Sequence, residues 1–343
     1  MGGIVKIFSW FVILTLGCIE SGWADNVTFA DALRNVRSNC SGISEKLSEI
    51  KTLAGVGTAV SGVGTAVGAG AVATGIYKNK FDNVSDNFEQ QINNFTQAEA
   101  NPTPVFVENF IELQGQLADL FNDEELKNYM NQANAEDISP DEFVKSLQDQ
   151  EYLKKLQDGK NLADAASKKF GNARTGLMAT SAATNIASAV ISGVNKIDAD
   201  FAAHIGACMG SVKLLASMKM QAKLDGSASD TDIENANKII EACDKFNVED
   251  IEKINVRATG ATVSSSVGAV AGVAGTVTSG MANSESVRTS QDAQKEKNLN
   301  TASNVLAGVT TVASLTSTVF NATQIAAAKR VIETAEQCEE AIK

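Results

Sequence analysis

LAGVGTAVSGVGTAVGAGAVATGIY, residues 53–77, decides the fold class. It carries no charge, and 17 of its 25 positions are Gly, Ala, Ser or Thr. Val56, Val60, Val63 and Val67 recur at intervals of four, three and four, the spacing of one face of an α-helix. Gly57, Gly64 and Gly68 each follow one of these valines and give the stripe a smooth flank, with Gly64 and Gly68 at glycine-zipper spacing. Glycine in a helix interior costs about 0.8–1 kcal/mol relative to alanine. Close approach of a second helix has to offset that cost through van der Waals contact. In water, the expected result is a tightly packed bundle with Val, Ile and Leu in the core and Thr and Ser outward.

Three further segments share this character: Thr175–Asn195, Ala258–Ser284 and Asn298–Ala328. The third of the four looks like a diverged copy of the first. Cys40 precedes Gly57, Gly64, Gly68 and Gly75 by 17, 24, 28 and 35 residues, and Cys243 precedes Gly260, Gly268, Gly272 and Gly280 by 17, 25, 29 and 37. The fourth echoes the second, because Thr175, Thr184, Ala187, Ser188 and Asn195 align without a gap to Thr301, Thr310, Ala313, Ser314 and Asn321. Each copy then reads as a helix leaving one cysteine and a helix returning toward another, with arms of about 35 residues, or roughly 50 Å at the helical rise. Antiparallel pairing brings the cysteines of each copy level, which favours Cys40–Cys208 and Cys243–Cys338. The rival pairing is Cys208–Cys243 with Cys40–Cys338, because the turn at Lys223–Asp230 folds the chain back between the middle two cysteines.

Around these arms the chain is polar and rich in helix signals. Residues 78–170 are long enough for a small inserted helical cap. Phe106, Phe110, Leu113, Leu117 and Leu120 follow Thr103-Pro104 as one amphipathic stripe. Ser139-Pro140-Asp141-Glu142 opens another, carried by Phe143, Leu147, Leu153 and Leu156 and ended by Gly159. Asp225-Gly226 stops a helix, and Thr231-Asp232-Ile233-Glu234 caps the next. The expected organisation is a leader over 1–24, a first hairpin from 25–77 with 171–225, the cap over 78–170, and a second hairpin over 226–343. The fold class is all-α: an elongated bundle of two related long antiparallel hairpins, coiled-coil-like, with Gly/Ala packing at Gly57, Gly64, Gly68, Gly268 and Gly272.

The leader combines Lys6, the apolar run Ile7–Leu16 and the small-residue ending Gly22-Trp23-Ala24, the pattern of a secretory signal peptide. Leu14-Thr15-Leu16-Gly17-Cys18 also reads as a degenerate lipobox, with Cys18 as the lipidated residue of a membrane-anchored lipoprotein. Either route leads to a periplasmic or extracellular location. There the four remaining cysteines form two disulfides.

The chemistry of the chain points away from catalysis. His204 is the single histidine, and no Ser lies in a GxSxG elbow. The glycine runs lack the GK[ST] of a phosphate loop. Asp225–Asp230 has the wrong ligand order for calcium. No two of the four mature cysteines have the close spacing of zinc ligands. No catalytic, cofactor or metal site is expected, and a net charge of −12 disfavours nucleic acid. The composition favours an exported, disulfide-stapled structural or interaction protein whose partner is a protein, itself or another. The alternative class is a membrane-active protein, pore-forming or membrane-associated, that inserts its Gly/Ala-rich helices.

Overall fold

The computed structural model describes residues 28–100, 145, 152–288 and 293–343. The leader with Cys18, the Phe106–Leu120 stripe and the Ser139–Glu142 capping box lie outside the described residues. Within them every element is helical and none is a strand.

Helix α1 (Phe29–Cys40) starts at a capping box, in which the Asp31 N–H donates to Thr28 Oγ1 at 3.2 Å and the Thr28 N–H donates back to the Asp31 carboxylate. It ends before Ser41-Gly42, where Gly42 takes the left-handed conformation (φ 77°) that a side chain disfavours. Helix α2 (Ile43–Ala100) then runs 58 residues unbroken. It carries the whole of Leu53–Tyr77 and continues beyond it, so residue 77 marks no helix end. Helix α3 (Tyr152–Val194) likewise begins well before residue 171. Residues 78–100 and 152–170, expected in a separate cap, extend the two arms.

The returning arm toward Cys208 is not one helix, as the spacing had suggested. It breaks after Val194, and α4 (Ala199–Asp225) restarts behind Asp198, whose side chain accepts from the Phe201 N–H at 2.6 Å. The break is held from outside. Asn255 accepts from the Ile197 N–H at 2.7 Å and donates to the Ile197 carbonyl at 3.2 Å. Helix α4 stops at Gly226 (φ 72°), as Asp225-Gly226 foretold. The cap of α5 (Asp230–Cys243) is Ser229, boxed with Asp232, two residues before the expected Thr231. Helices α6 (Val248–Asn283), α7 (Glu285–Arg288) and α8 (Ala293–Ala341) complete the chain, and the long helices follow one another as hairpin-like pairs.

The chain divides into two compact units. One takes the described residues up to Val63, Thr184–Val267 and Ala313–Lys343; the other takes Gly64–Ala183 and Gly268–Val312. The first unit contains an ordinary apolar core in which Val36, Ile43, Leu47, Phe201, Ile205, Leu215, Ile239, Ile254 and Val331 surround the four cysteines. Disulfides Cys40–Cys208 and Cys243–Cys338 join α1 to α4 and α5 to α8. Each unit also contains a part of all four long helices.

Candidate functional site

Where the uncharged segments meet, polarity is inverted. In the first unit the side chains of Ser61, Asn185, Ser188, Ser192, Ser265, Ser314, Ser317 and Asn321 are fully buried. The valines around them face outward. Val63 is 52% exposed, Val263 58% and Val190 61%. The expectation of a Val, Ile and Leu core with Ser and Thr outside is therefore reversed. The reason lies in the stripe next to the valines. Ala54, Gly57, Ser61, Gly64, Gly68, Ala71 and Gly75 recur at helical spacing and are the buried residues of α2 within Leu53–Tyr77. Only small side chains fit where the helices come this close.

The buried polar groups are paired with one another rather than stranded. Asn185 Nδ2 donates to Ser314 Oγ at 2.8 Å, and Ser314 Oγ donates back to Asn185 Oδ1 at 3.0 Å. Ser265 Oγ lies 2.9 Å from Ser188 Oγ and 2.7 Å from Ser317 Oγ, so three helices share one hydroxyl cluster. Ser192 donates to Asn321, Gln324 Nε2 donates to the Asn195 carbonyl, and Thr318 of α8 donates to Ser61 of α2. Partners on α3 and α8 stay 129 residues apart at Asn185–Ser314, Ser188–Ser317 and Ser192–Asn321. A constant separation means that these two helices run parallel in one register. Satisfied in this way, the polar seam avoids the penalty of a buried lone donor or acceptor.

The second unit repeats the inversion and adds charge. Val270 is 72% exposed, and Val277, Val305, Val309 and Val312 also face outward. Inside, Arg174 is fully buried and donates to Ser279 at 3.1 Å, to Asn304 at 2.8 Å and to Asn300 at 2.8 Å. Lys78, also fully buried, pairs with Asp82 at 2.6 Å and Glu296 at 3.0 Å. Asn300 and Ser167 donate to the same Asp82 carboxylate. Arg174 and Lys78 are the first charged residues beyond Thr175–Asn195 and Leu53–Tyr77. That position at the edge of an uncharged run was the available signal, and composition alone does not reveal that they point inward. Nearby, partial burial, followed by the carboxylates of Asp82, Glu89, Glu296 and Asp164, holds the Asp86 carboxyl above its usual range.

The five glycines read from the sequence are all buried on their helices. An added Cβ at Gly57 would lie 3.0 Å from the Asn321 amide, at Gly68 2.6 Å from Thr311 Oγ1, and at Gly272 3.0 Å from the Ala182 Cα. The carbonyl of Gly64 accepts a hydrogen bond from Ser181. His204 sits exposed on α4, with its ring 6.4 Å from that of Phe201.

These features define a class: a helical protein with, among the described residues, two disulfides and four helices long and apolar enough to cross a membrane. Comparison with protein-family models, curated proteins and solved structures finds no match to this chain.

Proposed function

We propose that this is an exported, non-enzymatic, membrane-spanning helical protein. Its four uncharged segments enter a bilayer with their valines against the acyl chains and their Ser, Asn and Gly faces against one another. The disulfide-stapled helices remain in water. The observation that carries this reading is the inversion itself: Val263 and Val267 stand exposed on either side of the fully buried Ser265 on the same helix. Water rejects such a surface, since contiguous exposed apolar patches beyond a few hundred Å² are rare on soluble monomers. A bilayer rewards it, because lipid leaves polar side chains no partner except each other.

Length and topology agree. Leu53–Tyr77 spans roughly 37 Å and Thr175–Asn195 roughly 31 Å as helices, against a hydrocarbon core of about 30 Å. Lys51, Lys196, Arg257 and Lys329 stand just outside the segments, where cationic heads reach the interface. Four crossings alternate sides. Cys40 before the first, Cys208 and Cys243 between the second and third, and Cys338 after the fourth then share one side, and the disulfides join only these parts of the chain. A structural or interaction role in water, which composition alone favours, leaves the exterior valines without cover.

The test is flotation of the purified mature chain with phosphatidylcholine vesicles, followed by an alkaline carbonate wash and protease digestion. The expected result is carbonate-resistant flotation with protected fragments covering the four segments. A chain that stays monodisperse in detergent-free buffer and does not float overturns the proposal.

A further inference from the structure

We propose that the four cysteines form a single thiol–disulfide exchange site, in which Cys338 can take over the staple between α1 and α4. The two disulfides are neighbours. The sulfurs of Cys40, Cys208 and Cys338 all lie within 4.8 Å of one another, and Cys338 is itself bonded to Cys243. All four side chains are buried in the apolar core of the first unit, on four different helices. The inference stands on this cluster alone and does not depend on the membrane reading.

Exchange needs a thiolate beside a disulfide, and opening the Cys243–Cys338 bond puts the Cys338 thiol, its precursor, beside Cys40–Cys208. A dithiol reductant opens it by a two-electron step. The reductant becomes a disulfide, and Cys243 and Cys338 become thiols. The Cys338 thiolate then attacks Cys40 or Cys208. In the first case a Cys338–Cys40 bond forms and the Cys40–Cys208 bond breaks. The electron pair leaves on Cys208, which takes up the proton that Cys338 gave up. The second step involves no net oxidation, and the number of disulfides is unchanged. The attacking and attacked sulfurs start within 4.8 Å of one another, so the gap to a bond of about 2 Å is short. The outcome is a different set of tethers: α8 becomes tied to α1 or α4, and α5 is released. Cys40–Cys338, half of the rival pairing that the sequence allows, is one exchange away once Cys243–Cys338 has been reduced. The apolar surroundings disfavour the thiolate and slow the step.

The test is the full-length Cys243→Ser variant, purified without reductant, checked for helicity by circular dichroism, quenched in acid and mapped by non-reducing peptide mass spectrometry. The expected result is a mixture in which Cys40–Cys338 or Cys208–Cys338 is present alongside Cys40–Cys208. Cys40→Ser runs the reaction from the other side: the Cys208 thiol attacks Cys338, giving Cys208–Cys338 and a free Cys243. It serves as the second readout where the first variant loses helicity. If each folded variant holds only its remaining native pair, with the third cysteine recovered as a free thiol, the proposal is overturned.

Discussion

Two glycines on α6 separate backbone propensity from packing. A Cβ at Gly272 would meet the Ala182 backbone, 3.0 Å from its Cα and 3.1 Å from its nitrogen, whereas a Cβ at Gly280 would meet nothing within 4 Å. Gly280→Ala gains the propensity of alanine and should stabilise the protein by about 0.8–1 kcal/mol. Gly272→Ala gains the same propensity but must push two helices apart, for a net loss of about 1–2 kcal/mol. Urea denaturation of the pair should therefore give shifts of opposite sign; equal shifts would mean that close approach at Gly272 contributes nothing. Asp86 gives a pH prediction. Its carboxyl is raised by burial and by four neighbouring carboxylates, so the folded state holds its proton more tightly than the unfolded state. The penalty of ionising it is therefore fully present at neutral pH. It is relieved as the pH falls through the raised folded value, and it vanishes below the ordinary carboxyl range. Asp86→Asn should raise the melting temperature at pH 7 slightly, by about 1 °C given the side chain's access to solvent, and leave it unchanged at pH 3. An equal rise at both pH values would assign the effect to something other than the charge.

At the scale of the element, α6 carries an outward row at Val263, Val267, Val270, Val273 and Val277. In water these are surface residues, and Val→Lys at any of them should stay within about 0.5 kcal/mol of neutral. In a bilayer, lysine near the middle of the helix costs about 2.5–3.5 kcal/mol on the insertion scale. Val267→Lys with Val270→Lys should therefore abolish flotation while leaving the helical content in detergent unchanged. Full flotation of the double variant would remove this face from the lipid. The same element shows what the sequence made legible. That Ala258–Ser284 is uncharged is plain in the sequence, and its small-residue pattern reads as helix, which α6 forms through Asn283. Which face turned inward was misread, because valine at helical intervals looks like a core stripe in any protein surrounded by water. The discriminating residues were the neighbouring ones, Ser265 on α6 and Ser188 and Ser317 on its neighbours. Their cross-helix partners are brought together only by the tertiary register. The break at Asn195–Asp198 escaped for a similar reason, since its stabilising partner, Asn255, lies 58 residues away from Ile197.

On the scale of the whole molecule, the question is whether staples and segments act independently. The disulfides close loops of 168 and 95 residues within a conventional apolar core. By chain-entropy arguments, a loop of about 100 residues contributes on the order of 4–5 kcal/mol, and smaller effects are common in practice. Nothing in the uncharged segments is tied by a disulfide. They are held by Ser–Asn hydrogen bonds and small-residue contacts that a bilayer preserves. A variant with Cys40, Cys208, Cys243 and Cys338 all changed to Ala should therefore lose several kcal/mol in urea melts followed by the fluorescence of an apolar dye. Its carbonate-resistant flotation with vesicles should remain close to that of the parent chain. Should flotation disappear along with the staples, insertion would depend on the stapled helices as well. The inverted faces of α2, α3, α6 and α8 would then not be sufficient to carry the chain into lipid.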